Sequence, residues 1–168
     1  MTAHNSLRLQ WTDYFPGLVG KMTELHAVYY YDNWGLDVTF ETQVGKEFSE
    51  FIADFQKDRD GLWAVKSVEA LAGCIVIDGS QAETQGARLR WFIVAPPFQG
   101  QKIGRALLNR AVEFCRRKGY GAVYLWSFQG LDAARTLYER VGFKLAEEIE
   151  VSQWGRQLVA QKYELNLS

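Results

Sequence analysis

One stretch, Leu89 to Leu108, reading LRWFIVAPPFQGQKIGRALL, limits the possible folds of this chain more than any other. A continuous apolar run from Trp91 to Ala95 stops at Pro96-Pro97, and a short polar loop follows, Gln99-Gly100-Gln101-Lys102-Ile103-Gly104. Proline cannot donate to a strand ladder and glycine admits a tight turn, so a strand over Arg88 to Ala95 must end here. Beyond the loop, Ile103, Leu107, Ala111 and Cys115 recur at steps of four, which predicts a helix from Lys102 to Lys118 with Gly119 as its stop. Strand, tight loop and helix in that order aim unpaired backbone N–H groups and the positive end of a helix at one point. That is the arrangement that binds a phosphate.

The rest of the chain supplies a frame for this unit. Leu7 to Trp11 alternates as a first strand, broken by Thr12, Asp13, Pro16 and Gly17. A helix is expected from Leu18 to Tyr31, carried by Leu18, Met22, Leu25, Ala27 and Val28 and ended by Asn33-Trp34-Gly35. Asp37 is placed to cap a second helix, in which Phe40, Val44, Phe48, Phe51, Ile52 and Phe55 make one apolar stripe. Leu62–Val65 and Leu71–Ile77 read as paired strands around a turn at Ser67 to Glu69. Ala122–Phe128 is a β-prone run. Gly130 and Asp132 then open a short helix with Ala134, Leu137, Tyr138 and Val141 on one face, ended by Gly142. Phe143–Val151 and Leu158–Leu167 are the final strands, with Trp154-Gly155 in the loop between them. The order β-α-α-β-β-β-α-β-α-β-β places the chain in the α/β (α+β) class, a mixed sheet with helices on both faces.

The chain has 168 residues, enough to bury one real core, and 48% hydrophobic with 14% aromatic content argues against disorder. A formal net charge of -1 gives no general attraction to nucleic acid or to anionic membranes. Cys74 and Cys115 sit in apolar segments and read as buried reduced thiols, and no Cys/His spacing suits a metal. His4 and His26 stand alone, which disfavours histidine-based catalysis. No basic-then-apolar leader opens the chain and no apolar run approaches the ~20 residues that span a bilayer, so a cytoplasmic protein is expected.

The loop lacks the Gly-x-x-x-x-Gly-Lys-Ser/Thr of a P-loop and the Gly-x-Gly-x-x-Gly of a dinucleotide fold. It resembles instead the acyl-CoA loop of the GNAT superfamily of N-acetyltransferases, Gln/Arg-x-x-Gly-x-Gly/Ala, with Lys102 where the first patterned glycine is usual. A lysine there keeps its amide donor if its backbone angles are ordinary. A second resemblance lies in Leu131-Asp132-Ala133-Ala134-Arg135-Thr136-Leu137-Tyr138-Glu139-Arg140-Val141-Gly142-Phe143, similar to the superfamily's Asn-x-x-Ala-x-x-Leu-Tyr-x-x-x-Gly-Phe helix, with Leu131 in place of Asn. Trp34-Gly35, Phe40-Glu41, Leu89-Arg90-Trp91-Phe92, Tyr124-Leu125-Trp126 and Trp154-Gly155 resemble bacterial domains of this kind, found alone or fused behind MarR-type regulators.

The resemblance implies a single GNAT domain over residues 1–168, a mixed and mostly antiparallel sheet of about seven strands flanked by about four helices. It implies acetyl-CoA as co-substrate, no metal, and direct attack of an amine on the thioester. Gln99, Gly100, Gln101, Lys102, Ile103, Gly104 and Arg105 would hold the pyrophosphate, chiefly through backbone N–H groups. Backbone donors on Phe92, Ile93 and Val94 would polarise the thioester carbonyl, with Leu131 and Ala134 beside the cofactor arm. Tyr138 would protonate the leaving thiolate; on spacing alone, lying on the apolar stripe of its helix, it reads as a core tyrosine. Glu41 is the candidate general base, with a solvated helix carboxylate or water as the alternatives, and Trp34, Glu41 and Trp154 are candidates to contact the acceptor. Tyr29, Tyr30, Tyr31 and Trp126 are further aromatics that could wall a pocket, and Arg90 and Trp91 are expected on opposite sides of their strand. Homodimers are common among such domains. A non-catalytic acyl-CoA sensor or interaction module, or a purely structural partner domain, stands as the competing reading.

Overall fold

The computed structural model describes residues 8–168. In chain order these form β1 (Gln10–Thr12), α1 (Leu18–Trp34), α2 (Val38–Ala53), β2 (Gly61–Lys66), β3 (Leu71–Asp78), β4 (Ala87–Val94), a single 3₁₀ turn (Pro96–Phe98), α3 (Ile103–Lys118), β5 (Ala122–Phe128), α4 (Asp132–Val141), β6 (Lys144–Gln153) and β7 (Arg156–Asn166). The seven strands make one sheet in the order β1-β2-β3-β4-β5-β7-β6. Every neighbouring pair is antiparallel except β4 with β5. Helices α1 and α2 cover one face, where Leu18, Met22, Phe40 and Phe48 pack with Cys74, Val76 and Ile93. Helices α3 and α4 cover the other, where Leu107, Leu108 and Tyr138 pack with Ile75, Ile77 and Leu89. Residues of β3 thus alternate between two cores, which is why its sequence is apolar on both faces.

Local chemistry sets the helix ends. The Asp37 carboxylate accepts from the Thr39 N–H at 3.0 Å and starts α2. Gly35, at φ 66°, stops α1 and returns its N–H to the Tyr31 carbonyl at 2.9 Å. Four boundaries differ from the sequence reading. Trp34 is the last residue of α1 and not a loop residue. α2 ends at Ala53, so Phe55 falls off the stripe and only touches Phe51 edge-on at 5.7 Å. The first strand begins at Gln10; Leu7, with which the sequence reading began it, and His4 lie outside the described residues. Finally, β6 and β7 run to within two residues of each other, pairing Ser152 with Gln157 and Gln153 with Arg156. Trp154 and Gly155, at φ 55° and 77°, make the two-residue turn whose twist matches the strands. Those strand ends are polar because β6 is the sheet edge, where charge discourages further pairing.

Two irregularities interrupt the ladders of β4. Its parallel pairing with β5 covers only Ala87 with Val123 and Arg88 with Tyr124, after which the strands part. On its other side, Cys74 pairs with Ile93 but Val76 with Arg90, so Trp91 and Phe92 together face one residue of β3. This is a β-bulge, with Trp91 at φ 46°. The bulge turns Arg90 and Trp91 to the same side, against the expectation of opposite sides. Arg90 reaches Glu47 of α2 at 2.6 Å, and the Trp91 ring lies 5.1 Å from Phe48.

Away from β4, a buried carboxylate ties the loops together. Asp60 accepts from the N–H of Gln56 at 3.0 Å and of Gly79 at 2.9 Å, and Arg59 grips it with Nε and Nη2 at 2.9–3.2 Å. The loop before β2 is thereby fixed to the loop after β3.

Candidate active site

Where β4 and β5 part, a cavity of about 440 Å³ opens. Phe92 of β4, Leu125 and Phe128 of β5, Leu131 just before α4, and Ala134 and Tyr138 on α4 line it, with Phe40 and Glu47 of α2 above. Beyond Arg88 the β4 edge that faces β5 has no strand partner among the described residues. Backbone groups on such an edge must find a partner in ligand or water. Of the carbonyl-binding residues expected from sequence, Phe92 lines the cavity, whereas Ile93 packs into the α1–α2 core. The Val94 carbonyl accepts from Gln99 Nε2 at 3.1 Å, which draws the loop back onto the strand.

The loop residues Gln99, Gly100 and Gln101 are exposed and lead into α3. Gly100 (φ 78°) and Lys102 (φ 64°) both have left-handed backbones. The angles at Lys102 are thus not ordinary: the position is one that glycine adopts freely, and lysine holds it against steric cost. No side chain caps α3 and no acidic residue stands in its first turn. Its first internal bond runs from the Ala106 N–H to the Lys102 carbonyl at 3.1 Å, so the N–H groups of Ile103, Gly104 and Arg105 point out with no helical acceptor. Gly104 brings this helix end close to the sheet: a Cβ there would meet Leu137 at 3.3 Å, Val94 at 3.4 Å and Phe92 at 3.5 Å. An uncapped helix end with free donors, joined to an unpaired strand edge, fits a ligand with an anionic group and an extended amide-bearing arm. Lys102→Gly is expected to raise stability by up to ~1 kcal/mol, the left-handed strain less the extra freedom of glycine when unfolded. A thermal melt checks this, and CoA affinity should stay nearly unchanged because the amides remain.

Tyr138 is buried between Phe92, Phe143 and Tyr163, with ring centroids 5.8–6.0 Å away, and it lines the cavity. None of the hydrogen bonds among the described residues occupies its hydroxyl, nor is that oxygen sealed from the cavity. Burial, and then the neighbouring Tyr30 and Tyr163, push its pKa above the ordinary phenol value, so it holds its proton. The same desolvation acts on thiols: Cys74 and Cys115 are free, buried and pushed up to about 12.

The acceptor side differs from the sequence expectation. Glu41 is exposed and does not line the cavity; Glu47, further along α2, does. Trp34 packs edge-on against Phe128 at 5.2 Å and stays outside the lining. Trp154 is brought in, its indole N–H donating to Gln43 Oε1 at 2.8 Å and its ring against Phe40 at 5.1 Å. Of the other aromatics, Tyr30 and Trp126 line the cavity and Tyr29 and Tyr31 do not. His26 was missed. It follows Leu18 and Met22 at steps of four on the buried face of α1, a spacing that marks it as an inward residue. Its Nδ1 donates to the Met22 carbonyl at 2.9 Å, leaving Nε2 with the lone pair. Burial lowers its pKa to about 4, so the ring is neutral at pH 7.

The geometry gives a polar, aromatic-walled chamber under α2, which no residue of the Gln99–Lys102 loop or of α3 lines, and an anion-ready helix end linked to it through Phe92, which lines the chamber and lies against Gly104. The sequence pattern of the acetyltransferase (GNAT) family matches residues 20–143, and the chain belongs to that family. An uncharacterised N-acetyltransferase of Methanocaldococcus jannaschii is 27% identical over 99 residues, 56% of this chain and 44% of that protein. The chain spans less than half the length of the curated relatives it matches. A GNAT-family acetyltransferase from Staphylococcus aureus Mu50 superposes with a TM-score of 0.77 at 15% identity, covering 96% of this chain and all of that one. An acetyltransferase of Salmonella typhimurium, solved with its cofactor acetyl-CoA, superposes with a TM-score of 0.69 at 15% identity over 95% of this chain and 94% of that one. Among the described residues no helix is long and apolar enough to cross a membrane.

Proposed function

We propose that this chain transfers the acetyl group of acetyl-CoA to an amine. The observation that carries the reading is the unpaired Tyr138 hydroxyl in the cavity where β4 and β5 part, with Phe92 between its ring and the start of α3. When bound, acetyl-CoA supplies an activated acyl carbon and a thiolate leaving group. The N–H groups of Ile103, Gly104 and Arg105 hold the pyrophosphate at the helix end. Donors on the open edge of β4 near Phe92 receive the thioester carbonyl and stabilise the charge that develops on its oxygen as the amine attacks. Tyr138 gives its proton to the departing sulfur. Burial keeps the Tyr138 proton in place until the sulfur departs, and the charge that then develops on the sulfur beside it in the same apolar cavity draws that proton across. The Glu47 carboxylate and the His26 Nε2 lone pair are the cavity's acceptors for the proton that the amine loses.

The test has two arms. CoA at ~100 times its dissociation constant should add roughly 2.7 kcal/mol, a rise of about 5–10 °C in Tm for a chain this long. Thiol release from acetyl-CoA across an amine panel should then find an acceptor. Stabilisation without release for any amine would favour a sensor, and no stabilisation at all a structural domain.

A further inference from the structure

We propose that Arg88 receives a carboxylate carried by the acceptor, so that the acceptor is an amino acid or another small amine with a carboxylate a few bonds away. This inference rests on the acetyl-transfer reading. Arg88 lies on β4 between the main cavity and a second, shallower one of about 380 Å³, and lines both. The carboxylates around it are all engaged elsewhere. Glu47 and Asp78 lie on Arg90 at 2.6 and 3.8 Å, Asp54 on Arg59 at 3.0 Å, and Glu50 on Lys46 at 3.0 Å. Among the described residues Arg88 has no counter-ion, and its Nε is sealed from solvent with no acceptor.

A guanidinium cannot shed its charge at any ordinary pH, and a buried donor without an acceptor costs stability. The charge is felt nearby: burial first, and then Arg88, lower the pKa of Arg90 from its ordinary value. Its Nη1 and Nη2 carry no hydrogen bond among the described residues and, unlike Nε, are not sealed from solvent, so the anion of a ligand can reach them and neutralise a charge that no described side chain pairs. The planar fork of arginine matches the two oxygens of a carboxylate. Glu47 and Asp78 stand close by, so a singly charged anion fits where a phosphate dianion would be repelled. With its carboxylate on Arg88, the acceptor's amine lies further along β4, toward Phe92 and Tyr138.

The experiment compares the common L-amino acids with their carboxamides as acceptors of acetyl from acetyl-CoA. The same pairs are compared for thermal stabilisation of the CoA-loaded protein. The acids should be preferred by roughly 30-fold or more in kcat/KM, and should stabilise the protein where the amides do not. Arg88→Ala should erase that preference, mainly through KM, and Arg88→Lys should restore part of it; the lysine variant also serves if the alanine variant fails to fold. Equal use of amides and acids, or a preference that survives Arg88→Ala, overturns the inference and leaves acetyl transfer standing. Stabilisation by acids with transfer to no amine rejects the acetyl-transfer reading and supports the carboxylate site. Absence of both transfer and stabilisation overturns the inference and leaves acetyl transfer to the wider amine panel.

Discussion

Tyr138→Phe should lower kcat for acetyl transfer by roughly 10²–10⁴-fold, the usual contribution of a positioned general acid. The change removes one oxygen and keeps the ring. The packing of that ring on Phe92, Phe143 and Tyr163 survives, so the melting temperature and CoA affinity should hardly move. Steady-state kinetics beside a CoA titration separate the two quantities. A variant with unaltered turnover would show that the thiolate leaves unassisted and that Tyr138 is a core residue only. Acceptors whose chemistry is fast and whose product release is slow would hide the effect in kcat, so single-turnover rates are the decisive measurement.

Asp60→Ala should cost about 3 kcal/mol, seen in urea unfolding or as a fall of about 6–12 °C in Tm. The alanine strands the N–H groups of Gln56 and Gly79 and leaves Arg59 with Asp54 as its one carboxylate among the described residues; the Arg59 side chain is 26% exposed and can partly rehydrate. That partial rehydration keeps the loss at the lower end of what breaking a buried ion pair costs. Asp60→Asn retains an acceptor oxygen and should lose less. No part of this network touches the cavity, so catalysis at a temperature well below the melt should survive in both variants.

The architecture was legible where periodicity carries it. The stripe Phe40, Val44, Phe48 and Phe51 is buried as its spacing requires, and Ala134 and Tyr138 reach the cavity together because a helical step of four keeps one face. What failed to read depends on events that leave no period. The bulge that swings Trp91 beside Arg90 is set by pairing with β3, so alternation along β4 alone gave the wrong side. Glu47 and Arg90 meet across 43 positions, a contact that no local pattern encodes, and Glu41 was chosen because its helix borders the acceptor pocket in the family it resembles, although it faces solvent. Lysine gives no hint of a left-handed backbone, so the strain at Lys102 was invisible until its angles were known.

The brief pairing of β4 with β5 has a consequence for how the molecule comes apart. Two rungs join a half-sheet of β1 to β4 to a half-sheet of β5 to β7, and each half is a continuous run of chain. Helix α3 packs on both and is the main strap across the seam. Such halves are natural units of partial unfolding, separating at a lower free energy than the whole requires. A ligand lying in the gap, bonded to the β4 edge and pressed against α4, adds ties across that seam. Occupancy then makes the two halves melt as one, and the cleft that receives the ligand is also where the empty protein is least cooperative.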